Sequence, residues 1–129
     1  MAKARLSPDE ISYVECHGTG TKVGDAIEVE ALSRVFQRER LDTPLMIGSV
    51  KTNVGHSEGV SGITSVIKST MAIERGQVPP THGLKNINPK LKVEERNMII
   101  PVQLTPWPES RHRRAPRRIG KCDDLTVQN

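Results

Sequence analysis

The stretch that decides the fold is YVECHGTGTKVGD, residues 13–25. Its first half belongs to an apolar run, ISYVEC at 11–16, whose β-branched and aromatic residues read as a strand. The run ends at His17, and a turn rich in glycine and threonine follows. GDAIEVEALSRVFQRER, residues 24–40, then reads as an amphipathic helix with Ile27, Ala31, Leu32, Val35 and Phe36 on one face. Asp25 and Glu28 at its start and Arg34, Arg38 and Arg40 near its end suit the helix dipole. Glu30 can pair with Arg34 one turn on.

The same alternation continues outward. Upstream, SPDE at 7–10 is a capped helical turn, with Ser7 as N-cap, Pro8 at the first position and Glu10 closing a capping box. Downstream, PLMIGSV at 44–50 reads as a second strand and KTNVGH at 51–56 as a tight loop. SEGVSGITSVIKSTMAIERG at 57–76 reads as a second helix, its apolar side formed by Val60, Ile63, Val66, Ile67 and Met71. Gly59, Ser61 and Gly62 leave room for a close neighbour, and Gly76 with Pro79 and Pro80 beyond it marks the helix end. Residues 77–92 read as loop, and NMIIPVQLTPW at 97–107 as a last strand, with Pro101 marking an edge or a bulge. Strand, helix, strand, helix, strand implies an α/β fold with a parallel pair. Residues 1–107 form one domain in this reading, and the tail 108–129, which has no periodicity, is expected to be disordered.

Composition narrows the function. The chain has 129 residues, enough for one core, with only one Trp, one Tyr and one Phe. Stacking on nucleic-acid bases has almost nothing to work with, so no nucleic-acid partner is expected. The net charge of +4 comes from the run RHRRAPRR at 111–118 and not from the body. Cys16 and Cys122 stand far apart, which makes neither a disulfide framework nor a metal motif. No apolar run reaches the roughly 18 residues of a membrane span, and no signal peptide heads the chain. The expectation is a soluble, cytoplasmic protein with no membrane partner.

In a parallel array, ligands sit at the carboxyl ends of the strands. His17 follows the first strand, and His56 ends the loop after the second, where the next helix opens. If the strands are neighbours, both imidazoles reach one pocket, with Lys51 at its mouth. A phosphate-cradle reading fails: GTGTKVGD is no Walker loop, and GxGxxxG misses the dinucleotide spacing. Cys16 as a nucleophile beside His17 fails too, because adjacent strand residues point to opposite faces. Cys16 reads as a small buried strand residue. Cys16, His17, His56 and His82 lack metal-ligand spacing, and no metal is expected.

VECHGTGTKVGDAIEVEAL followed by IGSVKTNVGHSEGVSGI resembles the C-terminal half of a β-ketoacyl synthase, above all the ketosynthase of type I polyketide synthases. The resemblance covers roughly residues 5–107. It implies the C-terminal half of a thiolase-like fold, and an acyltransferase that extends polyketide or fatty-acid chains by decarboxylative Claisen condensation. His17 and His56 match the two catalytic histidines, and Lys51 the lysine that supports them. Thr19 and Thr21 match threonines that bond the phosphopantetheine arm of acyl carrier protein, although local turn bonding explains them equally. Asp25 and Glu28 match a GDPxE motif with Ala26 in place of proline, and their role, like that of Asn53, reads as structural. No cofactor binds directly; phosphopantetheine arrives as the substrate carrier. The implied partners are acyl carrier protein, the N-terminal ketosynthase half and a second copy in a homodimer. His82 and His112 have no match and read as surface residues.

Two family features have no counterpart: the nucleophilic cysteine segment and the glycine-rich last strand. Where that strand is expected, the chain reads RRAPRRIGKCDDLTVQN. A truncated or frame-shifted gene product, inactive alone, is the first expectation. A non-catalytic interaction module or a complementing half-enzyme is the alternative. A half-fold is also expected to expose the sheet its other half covers, and to self-associate.

Overall fold

In the computed structural model, residues 6–36, 43–108 and 119–121 are described. Three short segments carry the centre: β1 (Tyr13–Glu15), α1 (Gly24–Phe36) and β2 (Leu45–Gly48). β1 and β2 are parallel neighbours, with Tyr13 opposite Met46 and Glu15 opposite Gly48. The expected strands at 11–16 and 44–50 are thus real but shorter, and helix α1 follows the expected boundary at Gly24. Residues 37–40 of the expected helix lie outside the described residues.

Period-two alternation sorts the strand side chains into two cores. On one face, Val14, Cys16, Leu45 and Ile47 pack with Val29, Leu32 and Phe36 of α1 and with Leu91 and Val93. On the other, Tyr13 packs with Ala72, Val78 and Trp107. The buried stripe of α1 is Val29, Leu32 and Phe36, while Ile27 and Val35 are exposed at 55% and 47%. The expected face is thus right at Leu32 and Phe36 but rotated at Ile27 and Val35: Val29 sits inward, while Glu28 beside it turns toward the loop after β1. The Glu30–Arg34 pair forms at 2.6 Å but is solvent-exposed, so it adds only a few tenths of a kcal/mol.

The segment expected as a tight loop opens with a single helical turn, α2 (Lys51–Val54), which Gly55 ends. The expected helix 57–76 divides into a 3-10 turn, Glu58–Val60, and α3 (Ser61–Arg75). Gly76 closes α3 in the left-handed conformation, with its N–H bonded back to Ala72 and Ile73. At the N-terminal end of the chain, the capping box of Ser7 and Glu10 is present around the turn Pro8–Glu10.

The last expected strand, 97–107, splits around Pro101. β4 (Met98–Ile99) joins β2 in parallel, while β5 (Thr105–Pro106) pairs antiparallel with β3 (Gln77–Val78), inside the segment expected to be loop. Pro101 has no N–H to give to a ladder, which favours the break between β4 and β5 there. β6 (Ile119–Lys121) pairs in parallel with β1, giving the order β4-β2-β1-β6. These three residues fall in the tail expected to be disordered; residues 109–118 and 122–129 of that tail, His112 and Cys122 among them, lie outside the described residues.

α3 is inverted relative to the usual amphipathic rule. Its inward residues are Ser65 and Ala72, both buried, with Lys68 between them. Its apolar side, expected to be buried, is open: Ile63, Val66, Ile67 and Met71 are 63%, 52%, 55% and 41% exposed. Among the described residues, the sides of β1 and β2 are thus covered by α1 and α3, and the exposed apolar stripe lies on a helix face. We expect the full chain to self-associate through this face. In sedimentation velocity, Ile63→Lys with Ile67→Lys should shift the chain toward monomer, whereas Lys substitutions at exposed Glu74 and Glu94 should not.

Candidate functional site

The site is built at the carboxyl ends of β1 and β2. β1 delivers His17, and a sharp turn follows at Gly18, whose φ is +51°. A Cβ on Gly18 would lie 2.5 Å from the Cβ of Ser49, so only glycine lets the two loops approach this closely. β2 leads into Ser49, Val50 and α2, and then to His56.

His17 and His56 come together. Their ring centroids are 6.0 Å apart with an interplanar angle of 88°, an edge-to-face pair. Both rings are solvent-exposed. Nδ1 of His56 accepts the N–H of Glu58 at 2.9 Å. In a neutral ring this puts the proton on Nε2, which is left as a donor.

The backbone of His17 is held on both sides. Its N–H donates to Oε1 of Glu28 at 2.6 Å, and the Gly18 N–H donates to Oε2 of the same carboxylate at 2.9 Å. Its carbonyl accepts from Nζ of Lys51 at 2.6 Å and from the Ser49 hydroxyl at 3.3 Å. Lys51 therefore reaches the histidine pair through main chain and not through an imidazole. Glu28 belongs to the loop and not only to its helix start.

The remaining expected residues take smaller parts. Oδ1 of Asp25 accepts the Gly20 N–H at 3.1 Å, and the Thr21 hydroxyl accepts the Gly24 N–H at 3.0 Å. Thr21 thus caps the helix in this state, while Thr19 is exposed at the turn. Asn53 touches the Pro80 carbonyl at 3.5 Å, at the outer limit of a hydrogen bond. Cys16 is buried at 8% exposure in the α1-side core. His82 is exposed. Behind the turn lies an apolar cavity of about 220 Å³, lined by Cys16, Gly18, Val29, Ile47 and Leu91 among others. Among the described residues, no group of three or more His, Cys, Asp or Glu side chains could hold a metal, and no helix is long and apolar enough to cross a membrane.

Sequence reasoning passed over one cluster. Glu15 is 1% exposed. Its Oε2 accepts from the Tyr13 hydroxyl and from Nζ of Lys68, each at 2.6 Å, and its Oε1 accepts the Val50 N–H at 2.6 Å. Nζ of Lys68 also meets the Tyr13 hydroxyl and lies 5.0 Å from the centre of its ring. Burial, reinforced by the neighbouring Glu15 carboxylate, pushes the Tyr13 phenol well above its ordinary range, so it stays a donor. Removing one member of a buried ion pair costs about 3–5 kcal/mol. The signal in the sequence was partial: a Glu inside an apolar strand and a Lys inside an apolar helix, with nothing to show that the Lys faces inward.

Residues 1–85 match the family model described as β-ketoacyl synthase, C-terminal domain. The chain belongs to the β-ketoacyl synthase family. It is 72% identical over 120 residues to a highly reducing polyketide synthase of Penicillium roqueforti, covering 93% of this chain and 6% of that protein. It is 56% identical over 121 residues to another from Neurospora crassa, covering 94% of this chain and 5% of the relative. This β-ketoacyl synthase region therefore spans about one-twentieth of the length of these relatives. Ketosynthase twelve of the bacillaene polyketide synthase from Bacillus amyloliquefaciens superimposes with a TM-score of 0.77 at 35% identity, over 84% of this chain and 19% of that one. The fold is thiolase-like.

Gly18→Ala adds both a close approach to Ser49 and a strained φ, and should destabilise the chain by about 1–3 kcal/mol in urea unfolding. Gly20→Ala, at φ +76° with nothing within 4 Å, adds the strained φ alone and should cost about 1–2 kcal/mol.

Proposed function

We propose that this region supplies the enolate-stabilising half of a ketosynthase that extends a polyketide chain by decarboxylative Claisen condensation. The observation that carries the reading is the edge-to-face pair of His17 and His56 at 6.0 Å, with Nδ1 of His56 already occupied. A malonyl thioester, held on the phosphopantetheine arm of acyl carrier protein, places its carbonyl oxygen beside the pair, within reach of an N–H of each ring. Its bond to the carboxylate breaks, CO2 leaves, and the electron pair moves onto that oxygen as an enolate. Nε2–H of His56 and an N–H of His17 donate to the developing charge. Donors fixed before the charge appears need no reorganisation, which makes them effective. The enolate carbon then attacks the carbonyl of an acyl thioester on a cysteine supplied by the N-terminal ketosynthase half, forming the new carbon–carbon bond and expelling the thiolate.

Lys51 and Glu28 position His17 in this scheme through its carbonyl and N–H. Thr19 and Thr21 stand where the arm enters, and the Thr21 hydroxyl still has a proton to give while it caps α1. The second copy of a homodimer completes the assembly.

The full chain, co-expressed with the N-terminal ketosynthase half of the Penicillium roqueforti relative, should release CO2 from a malonyl thioester. His17→Ala and His56→Ala should each lower the rate about 10²–10³-fold, the usual effect of removing one such donor. Full activity in both variants would overturn the proposal.

A further inference from the structure

The buried carboxylate of Glu15 is used by no step of the proposed reaction, yet it touches both site loops. It sits two residues before His17 on β1. Its Oε1 takes the N–H of Val50, which immediately precedes Lys51 and the turn of α2. Its Oε2 is held from the opposite side by Lys68 of α3 and by Tyr13. One side chain thereby joins the end of β1, the start of the His56 loop and the helix that follows that loop.

We propose that Glu15, anchored by Lys68 and Tyr13, is a positioning residue that sets the distance between His17 and His56. The inference rests on the functional reading above only for its catalytic consequence; the spacing itself is a property of the fold.

Three features carry it. The first is geometry. Cys16 N–H bonds to the Gly48 carbonyl at 2.7 Å, so the two strand ends are already in register. Beyond that ladder the Ser49 hydroxyl meets the His17 carbonyl at 3.3 Å, half-buried, and the Glu15–Val50 bond at 2.6 Å is the shorter and fully buried link between the same two segments. The second is energetics. A buried ion pair contributes little net stability compared with apolar residues of the same shape, because both charges are desolvated. A stability role alone does not call for a carboxylate here. The third is direction. Lys68 is 10% exposed at its side chain and Glu15 0%, so the pair is screened little by solvent and has one arrangement. Lys51 adds a further tie between the same loops, from Nζ to the His17 carbonyl.

Three variants separate positioning from plain support. Glu15→Gln keeps the shape and one acceptor, but turns an N–H₂ toward two other donors. Glu15→Leu with Lys68→Met removes both charges and leaves an apolar pair, the kind of replacement that often keeps or raises stability. Tyr13→Phe removes one of the two anchors. Two readouts apply. In the complex with the N-terminal half, kcat for CO2 release should fall about 10²-fold in the double variant at nearly unchanged KM, the effect of a displacement of about 1 Å. In the full chain, the ring-proton NOE between His17 and His56 should weaken or vanish in the double variant while its unfolding midpoint is kept. Tyr13→Phe should show a smaller loss of the same kind. A double variant that is as stable as the parent and keeps both kcat and the ring contact overturns the proposal. If the parent complex releases no CO2 but the ring contact is lost in the double variant, the functional reading fails and the positioning role stands.

Discussion

A carboxylate cannot be taken out of water unless each of its oxygens is supplied with donors, and that requirement organises this molecule around Glu15. Its donors come from three different elements: Tyr13 on its own strand, Val50 at the end of β2's extension, and Lys68 on α3. Satisfying it therefore fixes β1, the α2 turn and α3 relative to one another. The strand ladder and the α1-side core would hold β1 against β2 without it. Past the strands, Glu15 acts together with the Ser49 and Lys51 bonds to the His17 carbonyl.

The site follows from that frame. His17 leaves β1 with its N–H on Glu28 and its carbonyl on Lys51, so its backbone has little freedom. His56 is oriented by the Glu58 N–H at Nδ1, which leaves Nε2–H to point at a partner. This is the pre-organisation that electrostatic catalysis needs, since a donor that must first be ordered contributes less. The exposed rings and the open apolar face of α3 lie on a region that matches only about one-fifth of the bacillaene ketosynthase chain.

Much of this was legible in the sequence. The two histidines, the order of strands and helices, and Gly76 as a helix end followed from local chemistry, and HGTGT with KTNVGH identified the family. What escaped was what depends on neighbours. Periodicity found the apolar stripe of α3 but could not say which side meets the sheet, and Lys68 decided it, because pairing with Glu15 draws the polar stripe inward. The stripe of α1 was right at Leu32 and Phe36 but misjudged at Ile27 and Val35: Glu28 is committed to the His17 turn, and Val29 beside it sits in the core. Pro101 was read as an edge or bulge, whereas it separates two strands of different sheets. The short β6 left no signal, since three residues carry no period.

The central claim is that His17 and His56 are held as a pair with His56 as an Nε2–H donor. Histidine ¹⁵N–¹H correlation spectra of the full chain at a pH where the rings are neutral test it most directly. The account predicts that His56 carries its proton on Nε2 with an unprotonated Nδ1, and that Glu58→Pro, which removes the N–H, lets the other tautomer appear. A proton found on Nδ1 of His56 in the parent chain would contradict it.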